Sequence, residues 1–354
     1  MSSDGPDHMS SQDFRRHGYA LIDWIANYWE TVENMPVVAD VAPGEIRSRL
    51  PNSAPEAPEP FENILSDLDD IVLPGITHWQ NPNWFAYFPA NSSPPSVLAE
   101  LVSAGLGVQG MLWSTSPAVT EIETQIMDWL VDLLDLPQPW KTTNEGGGVL
   151  QMSASDSTHT ALVVARHKAS SASNIDASSM VVYTSSQAHS SIEKGARIAG
   201  YGHIRLIEVD TNQAMVPSAL EAAIRNDLDS GLTPVFVGAA VGTTGTTGVD
   251  PIREIGVIAA AHKLWLHVDA AYAGSAMICP EFRHHQDGLE LANSYTFNPH
   301  KWMMVNFDCS AFFVSDRKPL LDCLSILPPY LKDEASESGA VIDYRDWHVP
   351  LGRR

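Results

Sequence analysis

From residue 146 to residue 314 the chain alternates short apolar runs with helical stretches. That alternation restricts the fold more than any other feature. The runs fall at 149–152, 180–183, 204–209, 235–241, 264–268, 295–297 and 310–314. Helical spacing of apolar residues fills 156–168, 189–199, 218–228 and 252–262 between them. Runs this continuously apolar cannot leave one face in water, so they read as strands covered on both sides. Strands alternating with helices predict an α/β fold, a mostly parallel central sheet flanked by helices. In such sheets ligands sit at the carboxyl ends of the strands, so residues just past each run are the first candidates for chemistry.

The chain ahead of this region has a different texture. Residues 1–11 read as a loose polar tail, and 13–33 carries a helical stripe of Phe14, Leu21, Ile22, Ile25, Tyr28, Trp29 and Val32. Pro36, Pro43, Pro51, Pro55, Pro58 and Pro60 then enforce an extended arm. An aromatic helix on such an arm has two homes, its own domain or a second subunit. Helical spacing returns at 61–72, stopped by Leu73–Pro74–Gly75. Residues 81–89, NPNWFAYFP, form an aromatic loop bounded by prolines, either core or the wall of a binding site. Helices are expected over 96–108 and 118–134, with Glu121 and Glu123 favourable to the positive end of the second.

Charge narrows the partners. A net charge of -22 disfavours nucleic acid and anionic membranes, both of which reward a basic surface. Cys279, Cys309 and Cys323 are odd in number and lack metal-ligand spacing, which fits reduced thiols in the cytoplasm and predicts no metal. The first residues lack a signal-peptide core, and no apolar run is long enough to span a bilayer.

Five features lie where the strands end. Residues 146–155, GGGVLQMSAS, lead into a helix whose free N–H groups suit an anion such as phosphate, although Ser155 could simply cap that helix. His189 opens the next helix, as a flat ring for stacking or as an ordinary helix-start residue. Residues 242–248, GTTGTTG, make a hydroxyl-rich loop, which in most proteins is only a turn. Asp269 closes an apolar strand, where a carboxylate is costly unless paired, and Ala271 beside it leaves room for a flat ring. Lys301 lies between His300 and Trp302 after the run 295–297, where lost hydration favours a neutral, nucleophilic amine. An anion seat, a stacking ring, a carboxylate and a Schiff-base lysine are together what pyridoxal 5'-phosphate requires.

The sequence resembles the group II pyridoxal-phosphate amino-acid decarboxylases, specifically the aromatic-L-amino-acid decarboxylases, from about Phe14 onward. The resemblance is carried by FRRHGYALIDWIANY, HWQNPNWFAYFPA, TSPAVTEIE, GGGVLQMSAS, HSSIEKG, HVDAAYAGSAMICPEFRH, NPHKWMMVNFDCSAFFV and DYRDWHVPLGRR. It implies the fold-type I architecture of pyridoxal-phosphate-dependent transferases with an N-terminal helical arm, and a homodimer with active sites at the interface. Lys301 would carry the cofactor, Asp269 pair with its ring nitrogen, and His189 stack on the ring and hold the substrate carboxylate. Ala271 would lie on the other face; Ala154, Ser155 and Asn298 would meet the phosphate, with His300 close by and Thr244 a further contact. Tyr330 matches the proton donor of a mobile loop at about 327–340, a position where related aldehyde synthases carry phenylalanine.

The resemblance also implies an aromatic pocket from Trp79, Trp84, Tyr87 and Phe88, with Met111 arriving from the partner subunit. No arginine or lysine lies between Arg49 and Lys141 to pair with an acidic substrate side chain. Ala90, Gln109 and Met111 stand where animal members typically have threonine, isoleucine and phenylalanine, so tryptophan, tyrosine and phenylalanine are as plausible as dopa. The expected organisation is an N-terminal helix and dimer-swapping arm over 1–80 and a cofactor domain over 81–354, with the family's C-terminal small domain absent. Histidine decarboxylation, aldehyde synthesis, or a catalytically inactive dimerising subunit are the alternatives.

Overall fold

The computed structural model describes residues 9–173, 175–326, 339–350 and 352. They fall into two compact units, Met1–Pro89 and Ala90–Arg354, so the break lies nine residues beyond the expected 80/81 boundary.

The first unit begins with the helix Ser11–Thr31, where the Ser10 hydroxyl oxygen accepts the Asp13 N–H at 3.1 Å as an N-cap. Its aromatic and apolar side chains are divided. Trp24 Nε1 donates to Asp69 at 2.9 Å and Tyr28 Oη meets His78 Nδ1 at 3.1 Å, so this part docks within its own unit. Phe14, Tyr19 and Ile22 stay exposed. The proline-rich arm contains a short helix, Glu45–Arg49, whose Arg49 reaches Asp70 O at 3.0 Å. Helical structure from Phe61 runs through Val72, and a further short segment, Leu73–Gly75, with Pro74 in its first turn, ends three residues past the expected stop.

In the second unit the helices Pro94–Leu106 and Pro117–Leu133 precede a seven-stranded sheet. Its strands are β1 (Gly147–Gln151), β2 (Met180–Ser185), β3 (His203–Ile207), β4 (Thr233–Ala240), β5 (Trp265–Asp269), β6 (Ser294–Phe297) and β7 (Ser310–Val314). Their order is β1-β7-β6-β5-β4-β2-β3, parallel throughout except that β7 pairs antiparallel with both neighbours. The twelve residues between Phe297 and Ser310 hold only the short helix Pro299–Trp302, so β7 returns beside β6 in the opposite direction.

Alternate residues of each strand enter two separate cores. Val181, Tyr183, Leu266, Val268, Tyr295, Phe297 and Phe313 pack with the helices Pro117–Leu133, Pro217–Asp229 and Ile252–His262. Met180, Val182, Trp265, Phe312 and Val314 pack with the helix Ala154–Ser173. Covering on both faces is why the strands read as unbroken apolar runs. Parallel pairing, with β1 and β6 both antiparallel to β7, brings Gln151, Ser185, Ala240, Asp269 and Phe297 to one edge of the sheet, the edge where the candidate site lies.

Candidate active site

Lys301 is 9% exposed, on the turn Pro299–Trp302 that follows β6. Burial pushes its amine below the usual lysine range, against the opposing pull of the nearby Asp269 carboxylate. The turn is fixed on both sides. Lys301 N–H donates to Asn298 O at 3.1 Å, and Lys301 O accepts the Asn91 N–H at 3.3 Å. Trp302 Nε1 donates to Tyr272 O at 2.6 Å while the two rings stack 6.0 Å apart, tying the lysine turn to the segment just after β5.

That segment carries the carboxylate. Asp269, the last residue of β5, is buried, and its Oδ1 accepts the Ala271 N–H at 3.0 Å. This bond holds the carboxylate at the strand end beside Ala271. On the neighbouring strand, β5 and β6 pair Asp269 with Thr296, two positions before Asn298. Asn298 is buried, and its Oδ1 has no hydrogen-bond partner among the described residues. His300 is 1% exposed; Cys309 N–H donates to its Nδ1 at 2.9 Å, and Phe307 lies against the ring at 4.0 Å. Burial, reinforced by the Lys301 charge, lowers His300 to about 4, so the ring is neutral with its proton on Nε2.

The anion seat differs from expectation in its cap. Ser153, not Ser155, caps the helix Ala154–Ser173, accepting the Asp156 N–H on its hydroxyl at 3.2 Å. Ser155 is therefore left exposed inside the first turn, while Ala154 is buried. The remaining N–H groups of this helix start and the Ser155 hydroxyl, which the cap does not use, suit a phosphate.

His189 caps the helix Ser190–Ile198: the Ser191 N–H donates to Nδ1 at 3.2 Å and Ser191 Oγ lies 2.8 Å away. A backbone N–H can only donate, so Nδ1 is the acceptor and Nε2 carries the proton. The ring is exposed, with Nε2–H as an outward donor. In the loop 242–248, Thr243 is the structural residue: it is buried and its hydroxyl accepts the Gly248 N–H at 2.9 Å. Thr244 is left exposed.

The expected substrate residues divide between the units. Trp79, Trp84, Tyr87 and Phe88 form one aromatic cluster in the first, with Trp79 stacked on Tyr87 at 5.9 Å and edge-on to Phe88 at 5.3 Å. Ala90, Gln109 and Met111 belong to the second. There Met111 O accepts the Arg345 N–H at 2.9 Å, and Trp113 N–H donates to Asp343 at 2.8 Å. Tyr330 and the loop around it fall outside the described residues.

Glu123, expected only as a charge near the helix start, is 6% exposed and accepts the Leu150 N–H at 2.8 Å, fixing β1 just before the phosphate-type turn. Glu121, exposed, accepts from Trp113 Nε1 at 2.8 Å. Nothing in the sequence distinguishes these two carboxylates except position, one helical face or the next.

These groups fit pyridoxal 5'-phosphate: a buried amine, a strand-end carboxylate, a helix start with a spare hydroxyl, and a buried amide oxygen lacking a partner.

Comparison with known proteins agrees. Residues 43–354 match the family model for the pyridoxal-dependent decarboxylase conserved domain. Over 357 residues the chain is 47% identical to aromatic-L-amino-acid decarboxylase of Cavia porcellus, covering 98% of this chain and 74% of that protein. Over 351 residues it is 46% identical to phenylacetaldehyde synthase of Arabidopsis thaliana, covering 98% and 72%. The crystal structure of Oryza sativa TDC with PLP and tryptamine superposes with a TM-score of 0.96 at 39% identity, covering 99% of this chain and 73% of that one.

Proposed function

The chain belongs to the pyridoxal-dependent decarboxylases, and from that premise we propose that it converts an aromatic L-amino acid to the corresponding arylalkylamine and carbon dioxide. The observation carrying this reading is the meeting of Lys301, Asp269 and the start of the helix Ala154–Ser173 at one edge of the sheet. Pyridoxal 5'-phosphate, when bound, supplies a carbonyl that takes up an amine and a cationic ring that accepts an electron pair from the α-carbon.

The chain's residues do the rest. Lys301, its amine pushed below the usual lysine range by burial, would hold the cofactor through its carbonyl carbon until a substrate amine replaces it. Asp269, with one oxygen engaged by Ala271 N–H, offers the other to hold a proton on the ring nitrogen. Ala154, Ser155 and Asn298 take the phosphate, with His300 beside them and Thr244 a further contact. His189, its Nδ1 engaged by the Ser191 N–H, would cover one ring face and offer Nε2–H to the substrate carboxylate; Ala271 would leave the other face uncrowded. Tyr330 returns a proton to the α-carbon after carbon dioxide departs, giving the amine.

Several features support an aromatic side chain as substrate. Trp79, Trp84, Tyr87 and Phe88 cluster in the first unit, and Ala90, Gln109 and Met111 are small, neutral or apolar. The Oryza structure holds tryptamine, and the Cavia relative is an aromatic-L-amino-acid decarboxylase. A homodimer in the cytoplasm completes the reading, the segment 1–80 serving as its dimer-swapping arm. Exposed Phe14 and Tyr19 on the first helix, and Leu98, Leu101, Val102 and Leu106 on a later one, supply apolar surface for a second copy. No helix among the described residues is long and apolar enough to cross a membrane.

The 46% identity to phenylacetaldehyde synthase favours aldehyde formation as the second reading. Incubation with cofactor and a panel of tryptophan, tyrosine, phenylalanine, dopa, histidine and glutamate separates the two. The expected products are aromatic amines and carbon dioxide. Ammonia and hydrogen peroxide released alongside an aldehyde would establish the second reading, and turnover of glutamate or histidine alone would overturn the aromatic assignment.

A further inference from the structure

His267 lies two residues before Asp269 on β5 and is fully buried. Positions 265, 267 and 269 share one face of the strand, the face covered by the helix Ala154–Ser173. On that face the core changes from apolar to polar. His267 Nδ1 lies 2.9 Å from Ser294 Oγ on β6, and its Nε2 lies 3.2 Å from Thr158 Oγ1 in the second turn of the helix. Ser294 Oγ also accepts from Trp265 Nε1 at 2.8 Å. Beside this chain, Ser157 Oγ on the same helix lies 3.3 Å from Ser310 Oγ on β7, which is 3.3 Å from Thr296 Oγ1 on β6. Thr158, Ser157, Ser294, Thr296 and Ser310 are all fully or almost fully buried.

One direction is fixed by its donor. The Trp265 indole can only donate, so Ser294 Oγ accepts it; Ser294 and Thr158 hydroxyls, each able to donate or accept, then satisfy both ring nitrogens of His267 in either tautomer. A helix seated on a sheet by apolar contact alone can slide, since apolar packing is non-directional. Buried hydrogen bonds are directional and resist sliding, because a buried polar group that loses its partner carries its full desolvation cost.

We propose that His267 is a positioning residue that sets the spacing between the phosphate seat and the ring-nitrogen carboxylate. One end of the bridge is one turn from Ala154 and Ser155; the other is on the strand that ends at Asp269. A cofactor gripped at both ends gains from both only when that spacing is right. His267 touches neither the reacting atoms nor the cofactor; it acts through the helix and the strand.

The inference rests on the cofactor assignment above and deepens it. Its test compares pyridoxal 5'-phosphate with pyridoxal, which lacks the phosphate, by tryptophan fluorescence quenching of the apoprotein. In His267→Leu the affinity for pyridoxal 5'-phosphate is expected to fall tenfold or more, while that for pyridoxal stays within twofold. Thr158→Val, which removes only the hydroxyl on the helix side, is expected to move the ratio of the two affinities in the same direction. His267→Gln, whose amide reaches the Nε2 position, is expected to restore that ratio. Equal losses for both ligands, or an unchanged ratio in both Leu and Val variants, would overturn the proposal. Failure of the unmodified protein to bind pyridoxal 5'-phosphate would instead overturn the cofactor assignment.

Discussion

Asp269→Asn separates the charge of the strand-end carboxylate from its shape. In the native chain Asp269 Oδ1 accepts the Ala271 N–H at 3.0 Å. An asparagine must meet that N–H with its amide oxygen, which turns its NH2 toward the proposed ring nitrogen. A donor facing that nitrogen favours the unprotonated ring, the form that withdraws electrons poorly. The loss has two bounds. A hydrogen bond to a charged group contributes about 1.5–3 kcal/mol. A unit charge pair about 3 Å apart at an effective dielectric near 20 contributes about 5 kcal/mol. At ~1.4 kcal/mol per factor of ten, turnover should fall between roughly tenfold and a few thousandfold. Because the backbone bond survives, apoprotein melting should change little. Carbon dioxide release, measured with saturating cofactor and the best amino acid of the panel, gives the rate. Turnover within threefold of the native enzyme, with cofactor fully bound, would refute the role given to Asp269.

Two further predictions concern the scaffold. Tyr183 Oη donates to Asp227 Oδ2 at 2.9 Å in a buried setting, and Arg205 donates to Oδ1 from Nη2 at 2.6 Å and to Oδ2 from Nε at 3.1 Å. Tyr183→Phe should cost about 1.5–3 kcal/mol in chemical denaturation; an unchanged midpoint would show that Arg205 alone satisfies Asp227. Asp250 is 1% exposed and accepts the Met215 and Ala240 N–H groups at 2.7 and 2.8 Å, closing the base of the loop 242–248. Burial raises it from 3.8 to about 6, so between those values the folded state holds a proton the unfolded chain has released. Its contribution to stability therefore falls as pH rises from about 4 to about 6, by about 3 kcal/mol, and stays lost above. The native protein should show this extra slope relative to Asp250→Asn, and parallel pH–stability curves would contradict it.

The sheet was legible because covering on both faces writes strands as apolar runs. The helix Ile252–His262 and the strand Ser310–Val314 even have their expected ends. The direction of β7 was not legible, since an apolar run carries no sign of which way it pairs. Site residues that had to lie at strand ends, Asp269 and Lys301, were readable because a carboxylate or amine beside apolar residues is costly and so needs a reason. Residues acting from inside the core were not. His267 sits in a strand as any small polar interruption would, and its partners Thr158 and Ser294 are distant in sequence. Glu123 reads as a helix-start charge until β1 is placed against it. The cap of the helix Ala154–Ser173 lies two residues before the alternative read from the sequence, because Ser153 and Ser155 are equally good caps in isolation.

The most direct measurement is to load the protein with pyridoxal 5'-phosphate, reduce it with borohydride and map the modified peptide by mass spectrometry. A single pyridoxyl-phosphate adduct on Lys301, absent from Lys301→Ala, is the predicted result. An adduct on another lysine, or none at saturating cofactor, would contradict the site built around Lys301.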